Sequence, residues 1–173
     1  PDAGERREGR TAMSIAMIAI AAAGLALLVS CACDLRRFEI PDSLSVVILL
    51  AAVAFGLATP GFDWLWQLAG LGVMFAVGLG LFAAGWMGGG DIKLLVATAL
   101  WTGLGGLPHF LLGVSLAGGA LAMVLIGSRA ALKATGFTSE RMPGPLRPGA
   151  PMPYAIAITG GAFWWAAKSW PLG

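Results

Sequence analysis

The sequence predicts an all-α, polytopic membrane protein with about six transmembrane helices. Of its 173 residues, 58% are hydrophobic and only 12% are charged, whereas a typical soluble domain carries about 25% charged residues. Its mean hydropathy is +0.82. Uncharged stretches recur along the chain, and a helix needs about 20 such residues to cross the hydrocarbon of a bilayer. Because backbone groups in lipid must satisfy each other, these stretches are predicted to be helical.

The first three predicted helices are uncharged runs bounded by charged residues. Residues 11–33 form the first helix, residues 43–62 the second and residues 64–90 the third, which lies between Asp63 and Asp91. At a rise of about 1.5 Å per residue, each run is long enough to span the bilayer.

The remaining helices begin with the run at 94–128, which is too long for a single span. Glycines followed by a proline, at 103–108, are predicted to divide it into two helices. The first of the two is too short to cross the bilayer unless it begins near Gly88, which brings Asp91 to the edge of the hydrocarbon. An ionisable residue at that depth is costly and is therefore a functional candidate. Residues 148–167 form the sixth helix.

The chain is predicted to fold as one membrane-embedded domain, residues 13–173. Pro1 is not a natural initiator, so three interpretations of residues 1–12 stay open: a fragment end, a tag remnant or other non-native extension, or a misread start before Met13. The net charge of +2 is small and the basic residues are scattered, which argues against a nucleic-acid surface. One histidine and two cysteines do not supply the four ligands of a structural metal site, so no metal is predicted.

Asp34, Asp91 and the basic loop at 129–147 are predicted to lie on the same side of the membrane, because two helices separate each from the next. Most of the eleven basic residues fall on this side. An excess of Lys and Arg marks the cytoplasmic side. The loop is predicted to fix this topology and to contact anionic lipid.

Asp34 and Asp91 are the candidate catalytic residues. Each follows a long apolar run at the predicted cytoplasmic side. Two neighbouring carboxyl groups can hydrolyse an amide if one activates water as a base and the other protonates the carbonyl oxygen. Which of the two is the base is left open. Asp42 and Ser43 are instead predicted to cap the second helix, since their short side chains can accept from free backbone amides.

Three short segments resemble one family of membrane proteases. The segment at 86–94 reads WMGGGDIKL and is similar to a GxGD-(I/V)-K-L block, and the segment at 34–42 reads DLRRFEIPD and is similar to DLRxxxIPN, with Asp42 in place of Asn. The segment at 153–158 reads PYAIAI and is similar to PYGxAI, with Ala155 in place of Gly. The three patterns that these segments resemble are those of the type IV prepilin peptidases, which are GxGD aspartic membrane proteases.

The resemblance implies an aspartic endopeptidase with Asp34 and Asp91 as its catalytic pair and Gly88, Gly90 and Lys93 in supporting roles. Its expected partners are prepilins, whose basic leader would be removed at the cytoplasmic face of the bacterial inner membrane, and the lipid bilayer. No cofactor is implied. Longer members carry a cytoplasmic insert with paired CxxC motifs and also methylate the product. Without that insert, this chain resembles the short peptidases of tight-adherence (Flp) pili, and N-methyltransferase activity is not expected.

Two other classes of protein fit the same residues. A small transporter or channel subunit could use the two aspartates as a proton relay, and a structural membrane subunit would need neither. A protease of the presenilin type fits less well, because its first aspartate follows Tyr, whereas Cys33 precedes Asp34.

Overall fold

The computed structural model describes residues 3–135, 144–147 and 149–169, and within them it contains helices and turns but no strand. The all-α prediction is therefore confirmed. The α-helices are α1 (Ala3–Arg37), α2 (Asp42–Ala58), α3 (Trp64–Ala83), α4 (Gly89–Ala134) and α5 (Tyr154–Ser169), and a 3₁₀ helix spans Gly144–Leu146. Part of the predicted basic loop, residues 136–143, and the predicted start of the sixth helix, residue 148, lie outside the described residues.

Three helices, α1, α3 and α4, are long and apolar enough to cross a membrane, and α2 is a shorter apolar helix. Large apolar side chains project from their outer surfaces; Leu57 and Leu65 are each 77% exposed. Such a surface is favourable against lipid acyl chains and unfavourable against water. The chain is a polytopic membrane protein, and its number of passes remains a prediction.

A break at Gly103 divides α4, as the sequence predicted for the segment at 103–108. Gly103 has φ 60° and ψ 179°, which no helix contains. A Cβ atom placed on Gly70 of α3 would lie 2.5 Å from the carbonyl carbon of Gly103. The backbones of α3 and α4 therefore touch directly, the close approach that glycines permit between membrane helices.

Helix α3 ends earlier than predicted, at Ala83 rather than at residue 90. The cause is Gly85, whose φ of 70° is left-handed and which occupies the position where a helix is commonly closed by glycine. The N–H of the following residue, Trp86, donates to the carbonyl of Leu81 at 3.0 Å and completes this helix-closing motif. Residues 84–88 are consequently a loop rather than helix.

The beginnings of α2 and α4 test two further predictions. The expected capping of α2 by Asp42 or Ser43 is wrong, because Pro41 occupies the N-cap and no side chain caps the helix. The Asp42 carboxylate is engaged elsewhere, with Lys93. The expected start of the fourth helix near Gly88 is confirmed, because Gly88 is the N-cap of α4.

Helix α4 is the centre of the bundle. It packs against α2, α3 and α5, and α1 packs against α2 and α5. The core includes four side chains with no exposed surface: Ile48, Leu94, Phe110 and Ile158. This arrangement brings the carboxyl end of α1 beside the amino ends of α4 and α5, where the candidate site lies.

Candidate active site

Asp34 lies in the last turn of α1, directly before the chain turns back. The helix closes at Phe38, whose N–H donates to the carbonyl of Asp34 at 2.9 Å. Phe38 has φ 53°, a left-handed conformation that is rare and strained for a non-glycine residue. The turn leaves the Asp34 side chain buried, with only 5% of the residue exposed.

The buried carboxylate of Asp34 is stabilised by the amino end of α5. The backbone N–H of Ala155 donates to Asp34 Oδ2 at 2.9 Å. Amides in the first turn of a helix have no acceptor within the helix, and the helix dipole favours a negative charge there. Asp34 therefore supplies an acceptor that the helix lacks and receives in return the donor that a buried carboxylate requires.

Polar contacts hold α5 against α1 next to this bond. Cys31 Sγ lies 3.3 Å from the carbonyl oxygen of Ala155 and 3.1 Å from Thr159 Oγ1. The Thr159 hydroxyl also donates to the carbonyl of Leu27 at 3.3 Å. These contacts fix the amino end of α5 at the height of Asp34.

Asp91 is the third residue of α4 and is oriented by the amino end of its own helix. The backbone N–H of Gly88, the N-cap residue, donates to the Asp91 carboxylate. A side chain at the third helical position that reaches back to the N-cap amide is a common helix-start motif. Each aspartate is thus held by an amide at the start of a helix, Asp34 by α5 and Asp91 by α4.

The glycines at 88 and 90 leave room around the carboxylates. A Cβ atom on Gly88 would lie 3.3 Å from Asp91 Oδ2, and one on Gly90 would lie 3.4 Å from the Cβ of Ile40. Larger residues would press against the carboxylate and against the turn after α1. Their supporting role remains a prediction, and both line the cavity described next.

Asp34 and Asp91 line one cleft with two lobes, and both carboxyl groups lie close enough to interact electrostatically. Four residues line both lobes: Asp34, Phe38, Gly88 and Asp91. The acidic lobe, of about 350 Å³, is completed by Glu39, Ile40, Asp42, Gly89 and Gly90. The apolar lobe, of about 360 Å³, is completed by Gly85, Trp86, Met87, Pro151, Met152 and Tyr154. Each volume lies in the range of small-molecule and peptide-binding pockets.

Lys93 does not line the cleft but forms an ion pair at its rim. Its Nζ lies 2.7 Å from Asp42 Oδ2, and the two side chains are 54% and 68% exposed. The pair connects the first turns of α4 and α2. The pair bridges two helices that border the cleft, and the supporting role of Lys93 stays a prediction.

Arg129 braces the segment that leads into α5. Its Nη2 donates to the carbonyls of Pro145 and Ala150, at 2.7 and 3.1 Å. The sequence predicted Arg129 to begin a loop, but it lies within α4, and its side chain donates to protein carbonyls. The bonds restrain the chain directly before Pro151, which lines the apolar lobe.

Within the described ranges, no group of three or more His, Cys, Asp or Glu side chains could hold a metal ion. Asp34 and Asp91 supply two carboxyl groups to the cleft, next to the backbone amides at the starts of α5 and α4. Such a set can carry out acid–base catalysis.

Residues 19–123, more than half of the chain, match the type IV leader peptidase family. This chain belongs to that family. The match includes Asp34 and the segment at 88–91, and it confirms the family expected from the sequence resemblance. Membership identifies the protein as a peptidase and favours this activity over a proton relay or a structural subunit. No curated protein and no solved structure matches the chain.

Three features of this leader peptidase were not found from the sequence. The left-handed Phe38 gives no signal in its residue type, because such a conformation is expected for Gly or Asn. Ala155 lies in a recognised block, yet its contribution is a backbone N–H that any residue except proline supplies. Arg129 counted only as a positive charge of the loop, and its carbonyl partners follow it by 16 and 21 residues.

Proposed function

We propose that the protein is an aspartic endopeptidase that removes the basic leader from prepilins at the cytoplasmic face of the bacterial inner membrane. The observation that carries the proposal is the cleft lined by both Asp34 and Asp91. Family membership supports a leader peptidase in general, and the paired carboxyl groups support the aspartic mechanism.

The proposed reaction uses one proton shared between the two aspartates. Carboxyl groups that interact closely titrate as a pair, and the singly protonated state provides a base and an acid together. The ionised carboxylate takes a proton from a water molecule, whose oxygen attacks the scissile carbonyl carbon. The protonated carboxyl donates its proton to the carbonyl oxygen. The carboxyl group that took the water proton then protonates the amine nitrogen, while the other, now ionised, takes a proton from one hydroxyl of the tetrahedral intermediate. Collapse breaks the C–N bond, releases the amine and the new carboxyl end, and leaves the pair with its single proton.

The backbone donors at the site suit this reaction. A carboxylate has two oxygens, each of which can accept more than one hydrogen bond. One N–H from Ala155 or from Gly88 therefore orients each carboxyl group and leaves capacity for water and substrate. Both amides are fixed by helices, so little reorganisation is required as charge develops.

The short connection between α1 and α2 supports membership of the compact form that serves tight-adherence pili. Only residues 38–41 separate Arg37 from Asp42. A cytoplasmic insert with paired cysteine motifs is therefore absent between these helices, and N-methyltransferase activity is not part of the proposal.

Co-expression with a candidate prepilin tests the function. The wild-type protein is expected to shorten the prepilin, and Asp34→Asn and Asp91→Asn are each expected to abolish the size shift while the protein still inserts at normal levels. Asp63→Asn is the matched control: Asp63 is the N-cap of α3 and accepts from the amide of Trp66 at 3.3 Å, a role that Asn also fulfils.

The same variants separate the competing functions. Full cleavage by either catalytic-pair variant would refute the aspartic mechanism. Loss of proton-coupled flux, with no prepilin cleaved by the wild-type protein, would identify a relay instead.

A further inference from the structure

The two lobes of the cleft differ in chemistry although they meet at the same pair of carboxyl groups. Beyond the shared residues, the acidic lobe contributes the carboxylates of Glu39 and Asp42. Among the residues that the structure describes, the apolar lobe adds aromatic, methionine and proline side chains and no further charged residue. A peptide bond placed over Asp34 and Asp91 would therefore have one neighbouring segment near carboxylates and the other near apolar groups.

We propose that the substrate crosses the cleft in one direction, with the residues before the scissile bond in the acidic lobe and the residues after it in the apolar lobe. Glu39 is then a specificity-determining residue that faces a basic side chain of the leader. This inference rests on the proposed function, in which a positively charged leader precedes a hydrophobic helix.

The charge of the acidic lobe depends chiefly on Glu39. The Asp42 carboxylate forms an ion pair with Lys93 at 2.7 Å, and in the proposed mechanism the catalytic pair shares one proton. Among the described residues, Glu39 has no ion-pair partner, and it is exposed. Arg36 and Arg37 precede it in the last turn of α1 but do not line either lobe. Glu39 is thus the carboxylate available to a cationic side chain.

The apolar lobe suits the first residues of a hydrophobic helix. Trp86 is 76% exposed and stands at its edge, while Met152 and Tyr154 are half-buried. Contact with apolar residues would remove this surface from water, which is favourable in proportion to the area covered. If the substrate crossed the cleft in the opposite direction, its apolar residues would desolvate Glu39 without offering it a partner, which is unfavourable.

Phe38 marks the boundary between the lobes. It lines both of them, and its left-handed backbone, with φ 53°, turns the chain immediately after α1. A Cβ atom on Gly144 would lie 3.5 Å from the Phe38 ring. The ring therefore lies beside the 3₁₀ helix, on the turn that closes α1.

A charge-swap experiment tests the direction. The full-length enzyme in liposomes is assayed for kcat/KM with a prepilin that it cleaves and with a version whose leader lysines nearest the cut are changed to glutamate. For the basic leader, Glu39→Gln is expected to lower kcat/KM about two- to fivefold, mainly through KM, as for one exposed ion pair. Glu39→Lys should lower it further and should restore cleavage of the acidic leader. Asp63→Asn, the matched control, should behave like the wild type with both leaders.

A second variant tests the apolar lobe, which is proposed to hold the residues after the cut. Trp86→Ala is expected to lower kcat/KM for both leaders by the same factor, since Trp86 faces the residues after the cut. The proposal is overturned if Glu39→Lys leaves the ratio between the two leaders unchanged, or if Trp86→Ala changes that ratio. A wild-type enzyme that cleaves no prepilin would refute the proposed function itself, so the two failures are distinguishable.

Discussion

The carboxylate of Asp34 and the backbone amide of Ala155 are 121 residues apart in the sequence and 2.9 Å apart in the structure. The bond joins the end of the first helix to the beginning of the last one. It explains how the third sequence block, at 153–158, contributes to the site, because the first turn of that block orients one of the two carboxyl groups.

Replacing Ala155 tests this contribution. Ala155→Pro removes the N–H at a first-turn position that tolerates proline, and it is expected to lower kcat about 10- to 100-fold, since hydrogen bonds to charged groups contribute about 1.5–3 kcal/mol. Ala155→Gly keeps the donor and should remain within about threefold of wild type. The cleavage rates of the two variants are compared at a temperature below the unfolding temperature of each. Equal activity of the two variants would show that the N–H has no role in positioning Asp34.

The glycines before Asp91 allow a second matched comparison. A methyl group on Gly88 would lie 3.3 Å from Asp91 Oδ2, whereas one on Gly89 would lie 3.7 Å from a ring carbon of Phe82, an ordinary contact. Gly88 has φ −71°, so alanine there is not strained. Gly88→Ala is expected to lower kcat about tenfold, through displacement or desolvation of the carboxylate, with little change in thermal stability. A larger loss of activity for Gly89→Ala would contradict this assignment.

The ion pair between Lys93 and Asp42 should contribute little to catalysis. Both side chains are more than half exposed, and such pairs typically contribute about 0–1 kcal/mol. Lys93→Gln and Asp42→Asn are each expected to retain cleavage within about fivefold of wild type, and the double variant should lose little more than either single one. Cleavage assays of the three variants decide the matter. A loss as complete as that of Asp91→Asn would place Lys93 in the reaction itself.

The break in α4 should be a determinant of stability. Gly103 has φ 60°, and a Cβ atom there would collide with Oε1 of Gln67. Gly103→Ala is expected to destabilise the protein by about 1–3 kcal/mol from backbone strain alone, seen as a lower unfolding temperature in detergent. Gly105→Ala is the control, because a Cβ atom there meets no atom within 4 Å, and alanine favours helix. Equal unfolding temperatures would show that the break is not required.

Two features that depend on local sequence were predicted correctly. Apolar length and turn residues located the start of α4 at Gly88 and the break within 103–108, because both follow from how much helix fits in a bilayer. Asp34 and Asp91, which two intervening helices were predicted to place on one side of the membrane, line the same cleft in the structure; the side of the membrane stays a prediction.

Features that depend on partners distant in sequence, or on the backbone conformation of a single residue, were not predicted. Asp42 was assigned a capping role because its neighbours suggested one, but it pairs with Lys93, which lies 51 residues away. The early end of α3 depends on the left-handed conformation of Gly85, which a run of apolar residues does not reveal. Composition indicates where helices lie, whereas tertiary packing decides which polar groups meet.

The dependence of Asp34 on the first turn of α5 also bears on biosynthesis. Chains emerge from the ribosome amino end first, so Asp34 and Asp91 enter the membrane before residue 155 has been translated. Until then the carboxyl group of Asp34 lacks the Ala155 amide that orients it. The nascent enzyme is therefore expected to stay inactive toward other newly inserted proteins until its own final helix has been delivered.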